Sequence, residues 1–198
     1  DKNLEAFPYE DADLDDKESF KVVYTGAIRR INNLGLIVDA AKLIKDPAVK
    51  VYFWGDGDEV EPLKERIKEE GITNVKIKGW VNKQYIPSIV SRSDLNLVHW
   101  EMNPLLRVGE SYNKAFEYFA AGKPVFYTVR PGYSIVEKYN CGKMTEGFQP
   151  EDLAAGIEAM AKLSQEEKLT MAKNARIAAK AYDFKKLTAD LVDIIETL

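Results

Sequence analysis

Between Glu110 and Val125 the chain gathers Glu110, Ser111, Asn113, Lys114 and Glu117 within eight residues. On a helix, Asn113 and Glu117 fall at i and i+4 and share one face near its start, with Lys114 beside them. Ser111 suits the N-cap, Gly122 suits the left-handed position that ends a helix, and Pro124 prevents its continuation. This is the densest run of chemistry-bearing side chains in the sequence. An ion pair of Glu117 with Lys114 or Lys123 is the purely structural alternative. It is weakened because a helix buried on a sheet makes an unpaired carboxylate expensive.

Other turns carry related chemistry. Gly26-Ala27-Ile28-Arg29-Arg30-Ile31-Asn32-Asn33 suits an anion if it follows a strand and opens a helix; a turn glycine with solvated arginines is the alternative. Gly55-Asp56-Gly57-Asp58 lets backbone bend sharply and approach a flat ligand, yet it lacks the longer GxGxxG spacing and also fits a plain βα turn. Trp80 is either a stacking platform or a core aromatic. The sole histidine, His99, either faces a cleft or serves a structural role at a strand end.

These residues need a frame, and the apolar pattern supplies one. Short runs rich in Val, Ile, Tyr and Phe predict strands at Lys21–Thr25, Val49–Trp54, Val75–Lys78, Leu95–His99 and Pro124–Thr128, with a weaker sixth near Gly142–Thr145. Helices are expected over Leu34–Ile44, Glu59–Glu70 and Ser111–Ala121. Two more follow from the spacing of Leu153, Ile157, Met160 and Leu163, and of Leu187, Leu191, Ile194 and Leu198. Strands separated by helices run parallel, so the fold class is α/β, a doubly wound parallel sheet of about six strands. Such a sheet binds ligands outside the carboxyl ends of its strands, where the turns above lie.

Composition narrows the classes. The 198 residues are 45% hydrophobic and 30% charged, as in a globular protein, and no apolar run approaches the length of a bilayer span. One cysteine, Cys141, makes neither an internal disulfide nor a Cys-based zinc site, so a cytoplasmic location is expected. Of the net charge of −4, the first 18 residues contribute eight acids against Lys2 and Lys17. The remaining 26 basic and 24 acidic groups leave a body of +2, which does not favour nucleic acid as a partner. Residues 1–19 are thus expected to form an acidic leader or linker, mobile or draped over the surface, and residues 20–198 the ligand-binding domain.

Four segments in order, Val22-Val23-Tyr24-Thr25-Gly26, Phe53-Trp54-Gly55-Asp56-Gly57, Val75-Lys76-Ile77-Lys78-Gly79-Trp80-Val81 and Asn113–Val125, together with Tyr182-Asp183-Phe184, resemble the C-terminal, donor-binding domain of GT-B fold glycosyltransferases of group 1, family 4. The resemblance covers about residues 20–198 and is most specific in Phe116–Val125. It implies a Rossmann-like half of a GT-B enzyme that moves a sugar, with retention, from a nucleoside diphosphate sugar, UDP- or GDP-linked, to an acceptor hydroxyl. The expected setting is bacterial surface polysaccharide or glycoconjugate synthesis. Glu117 matches the second glutamate of the family's E-x7-E motif, which accepts hydrogen bonds from the ribose hydroxyls. Ser111 to Lys114 would lie against the diphosphate, Gly55 and Gly57 would approach the nucleotide, and the turn containing Trp80 and Val81 would meet the base.

The departures are equally definite. The first motif glutamate falls on Gly109, with Glu110 one place away as its substitute if the loop shifts. The family's Arg and Lys after the first-strand glycine fall on Ala27 and Asn32, which leaves Arg29, Arg30 and Lys114 to stabilise the leaving diphosphate, beside the Gly26 turn. No Asp-x-Asp metal motif is apparent, and no obligatory metal or other cofactor is expected. A chain of 198 residues starting at Asp1 without Met is expected to lack the N-terminal acceptor domain and to be inactive alone. Association with the membrane periphery would occur through that missing domain. A nucleotide-sugar epimerase-like or hydrolysing GT-B domain, and a non-catalytic α/β partner-binding module, are the alternatives.

Overall fold

The strands form where β-branched and aromatic residues cluster between turn residues: β1 Phe20–Thr25, β2 Val49–Trp54, β3 Val75–Gly79, β4 Leu95–Val98, β5 Val125–Tyr127 and β6 Gly142–Met144. A computed structural model describes residues 7–101, 104–108 and 113–197. All six strands are parallel, in the order β3-β2-β1-β4-β5-β6. This is the doubly wound α/β architecture, with its order reversing between β1 and β4.

The helices are α1 Ala12–Asp15, α2 Leu34–Leu43, α3 Val60–Glu69, α4 Ile86–Ser91, α5 Asn113–Ala121, α6 Ile135–Tyr139, α7 Pro150–Ala161, α8 Gln165–Ala181 and α9 Phe184–Glu196. Alternating strand residues divide the core. Tyr24, Val51, Phe53, Leu97 and Phe126 pack with α2, α3 and α7, whereas Val23, Tyr52, Trp54, Val98 and Tyr127 pack with α4, α5, α6 and α8. Gly122 ends α5 with φ +65°, as its position after an amphipathic helix requires. No described helix is long and apolar enough to cross a membrane.

Two features extend the sequence expectations. The short helices α4 and α6 and the long α8 have no counterpart among the expected elements; α8 buries only Met171, Ala175 and Ala178, and alanines on its inner face give a weak apolar period. Its start is fixed by a capping box between Ser164 and Glu167. The described part of the acidic leader lies on the sheet. Asp11 caps α1, Leu14 joins the cluster of Tyr52 and Trp54, and Lys78 Nζ meets Asp11 at 2.8 Å and Asp13 at 2.6 Å. Arg92 completes this attachment by pairing with Asp15 at 2.8 Å.

At the reversal point the paired register of β1 and β4 comprises Val22–Leu95 and Val23–Asn96, and Tyr118 of α5 reaches the carboxyl end of β1. The Thr25 N–H donates to Tyr118 Oη at 2.9 Å, and the Thr25 hydroxyl lies 3.1 Å from the same oxygen. Tyr118→Phe leaves a buried N–H without this acceptor. It is expected to lower unfolding free energy by about 1–3 kcal/mol, measured by urea denaturation; an unchanged midpoint would refute this assignment.

Candidate functional site

Three consecutive βα turns meet at the carboxyl edge of the sheet, held by hydrogen bonds beyond the strand ends. The Gly26 N–H donates to the Trp54 carbonyl, the Gly55 N–H to the Gly79 carbonyl and the Ile28 N–H to the Asp56 carbonyl, each at 2.9 Å. Between them lies a cleft of about 340 Å³ whose lining includes Gly26, Gly55, Asp56, Trp80, Val81 and Lys83. Trp80 is 68% exposed, so it is a surface aromatic at the cleft wall and not a core residue. Gly57 is seated over the Ile28 carbonyl and beside the stem of Arg29.

Lys114, in the first turn of α5, reaches under this cleft. Its Nζ lies 3.9 Å from the centroid of the Tyr24 ring, and a Cβ added to Gly26 would sit 2.8 Å from it. The glycine therefore leaves the space that the ammonium occupies. Lys114 has no carboxylate partner within ion-pair distance among the described residues. Burial lowers its pKa to about 8, with Glu117 acting in the opposite direction. A half-buried cation without a paired anion among the described residues suits an incoming anionic group.

Glu117 lies one turn further along α5. Its nearest cation is Lys83, with Nζ 3.8 Å from Glu117 Oε1, in place of the expected structural partners Lys114 or Lys123. Burial raises the Glu117 carboxyl above its ordinary range, while Lys83 and Lys114 pull it down. The sequence pattern gave no signal for Lys83, since the segments bearing Lys83 and Glu117 meet only through the fold.

The structure therefore brings Gly26, Gly55, Trp80, Val81 and Lys114 together, with Glu117 linked to the cleft through Lys83. Asn113 is exposed at the start of α5, while Glu110 and Ser111 fall outside the described residues. Arg29 and Arg30 are exposed and form no ion pair among the described residues. Arg30 faces a separate depression lined by Ile31, Asn33 and Glu101, so the structure does not group it with Lys114 at the cleft. No cluster of three or more metal-ligating side chains occurs among the described residues.

His99 is buried just after β4, with Nδ1 2.6 Å from Thr128 Oγ1 and Nε2 3.0 Å from the Asn33 carbonyl. It joins the ends of two strands to the turn after β1.

The fold matches solved structures over 91% of the chain. HepE of Anabaena in complex with UDP is similar with a TM-score of 0.76 and 23% identity, over 50% of that chain. Sucrose-phosphate synthase from Thermosynechococcus elongatus gives 0.73 and 18%, over 45% of its length. The present chain thus spans about half the length of these proteins. The C-terminal domain of the group 1 glycosyl transferase family protein LpcC from Francisella tularensis gives 0.68 and 15%, over 96% of that domain. No protein of curated function matches the sequence significantly. The family described as glycosyl transferases group 1 matches residues 9–178, most of the sequence that builds the sheet and its cleft, and the chain belongs to that family.

Proposed function

We propose that this domain binds the nucleoside diphosphate sugar of a retaining glycosyltransferase, UDP- or GDP-linked, and presents it to an acceptor held by a second domain. The carrying observation is Lys114: a half-buried ammonium, its pKa lowered by desolvation and without an anionic partner among the described residues, beside a glycine turn at the mouth of a parallel sheet. The diphosphate meets Lys114 and the N-terminal turn of α5 that carries Asn113, with Ser111 just before it in sequence and Arg29 on the neighbouring turn, while Arg30 stands off at its own depression. The ribose hydroxyls donate to Glu117, the nucleotide packs against Gly55 and Gly57, and the base lies along Trp80 and Val81. Glu110 replaces the first motif glutamate in binding the donor.

Cleavage of the bond between the anomeric carbon and the diphosphate oxygen leaves its electron pair on the leaving group. Positive charge and N–H groups already aimed at that group stabilise the developing charge without solvent reorganisation. No metal is required in this scheme. The domain alone binds donor without turnover. In the complete enzyme the acceptor lobe would complete the cleft and could provide peripheral membrane attachment, in cytoplasmic synthesis of a bacterial surface polysaccharide or glycoconjugate.

Glu117→Ala is expected to weaken UDP binding about tenfold and to erase the preference for UDP over its 2′-deoxy counterpart, because a hydrogen bond to a carboxylate contributes about 1.5–3 kcal/mol. Isothermal titration with UDP, GDP and the deoxynucleotide reads both effects. Binding of none of them, or affinity unaltered by the substitution, would refute the ribose assignment.

A further inference from the structure

The sole histidine is placed to do more than fill space. A carbonyl only accepts, so the contact with Asn33 requires the proton on Nε2 of His99. In the neutral ring Nδ1 is then an acceptor, and the Thr128 hydroxyl, 2.6 Å from it and 3.4 Å from the Val98 carbonyl, donates to the nearer nitrogen. One neutral tautomer satisfies both contacts. Burial, assisted by the charge of Lys114, lowers the pKa of His99 to about 4, against the opposing hydrogen bond to Asn33. Glu101 lines the same small cavity as the ring.

The residue held by this ring is unusual. Asn33 adopts left-handed backbone geometry, φ 47° and ψ 45°, between the single turn Arg30–Asn32 and helix α2. That geometry is unfavourable by about 1 kcal/mol for a residue with a Cβ, although asparagine tolerates it better than most. The Asn33 side chain makes no capping bond; its N–H donates to the Arg30 carbonyl at 3.0 Å within the turn, and its carbonyl, which accepts from Leu36 N–H at 3.1 Å and from His99, ties the turn to α2 and to the strand ends. The turn so fixed carries Arg29 and Arg30.

We propose that His99 is a positioning residue whose neutral imidazole locks the arginine-bearing turn after β1 to the ends of β4 and β5. Its effect on ligand rests on the nucleotide-sugar reading, whereas its effect on the turn does not. The residue acts through backbone placement and need not touch the donor.

Because His99 is the only histidine, nitrogen-15 imidazole spectra of the 198-residue chain report a single ring. The expected species at neutral pH is Nε2–H with an unprotonated Nδ1. His99→Gln supplies one donor and one acceptor in place of the ring, whereas His99→Phe supplies neither. The Phe variant is expected to accelerate amide exchange over residues 30–36 about tenfold, without a matching rise in the other βα turns, and to weaken UDP binding about fivefold. The Gln variant should remain within about threefold of the parent in both measurements. Thr128→Val, which keeps the ring and removes its donor, should allow the other tautomer and loosen the same turn; it supplies the test if the Phe variant does not fold. An Nδ1–H ring in the parent, equal effects of Gln and Phe, or a uniform rise in exchange would overturn the proposal. A parent that binds no nucleotide would instead refute the nucleotide reading, with ring and exchange data still deciding the clamp.

Discussion

Gly55→Ala is expected to lower unfolding free energy by about 3 kcal/mol and to abolish nucleotide binding. A Cβ at Gly55 would run into the Gly26 carbonyl and lie 3.4 Å from Cγ1 of Ile28. The carbonyl cannot readily turn away. Its peptide neighbour Gly26 N–H is tied to Trp54 and the Ile28 N–H to Asp56, so relief requires the first two βα turns to move apart. That movement withdraws Gly26 from Lys114 and breaks the cleft wall. Urea denaturation and UDP titration read the two losses separately. A variant that keeps its parent's midpoint and affinity would show that the turns are not interlocked in this way.

Lys114→Met is expected to have the opposite effect on stability and a similar one on binding. An ammonium whose pKa falls from 10.5 to about 8 is less favourable in the folded chain than in the unfolded one at neutral pH. Methionine removes that penalty while retaining most of the stem, for a gain on the order of 1–3 kcal/mol. Loss of the charge-assisted contact should weaken UDP binding by about 10- to 100-fold. The sign of the pH dependence follows from the same shift. Between about pH 8 and pH 10.5 the unfolded lysine holds a proton that the folded one has released, so this residue's contribution to stability rises with pH. UDP affinity falls over the alkaline range, because the ligand requires the charged form and must first restore its proton. Comparing the two proteins in denaturant and titration series across this range isolates the residue. Parallel profiles for parent and Met variant would remove Lys114 from the anion site.

The strands and the principal helices were legible because their apolar residues alternate or recur at helical spacing, and Gly122 and Pro124 mark the end of α5 without reference to the rest of the molecule. Lysine and glutamate positions on α5 could likewise be placed on a common turn. Their partners could not. Lys114 against Gly26 and Tyr24, and Lys83 near Glu117, join segments far apart in sequence, and such pairings are properties of the assembled sheet. Helix α8 was hidden for another reason, since alanine contributes little to an apolar period while still packing closely against α5. The arginine pair was legible as an anion-binding composition, but the left-handed Asn33 that directs the turn and the depression at Arg30 belong to tertiary structure.

The leader changes how the sheet ends. In the order of strands β3 lies at an edge, and its Lys76 and Lys78 are met by Asp13 and Asp11 of the leader. An edge strand offers unpaired peptide groups to any extended segment that approaches, and charged residues there discourage such pairing. The compensated lysines thus allow β3 to keep this protection against strand addition while Leu14 is buried beside Tyr52 and Trp54. The acidic segment is therefore a border for the sheet: its charge makes a soluble edge compatible with an apolar second layer.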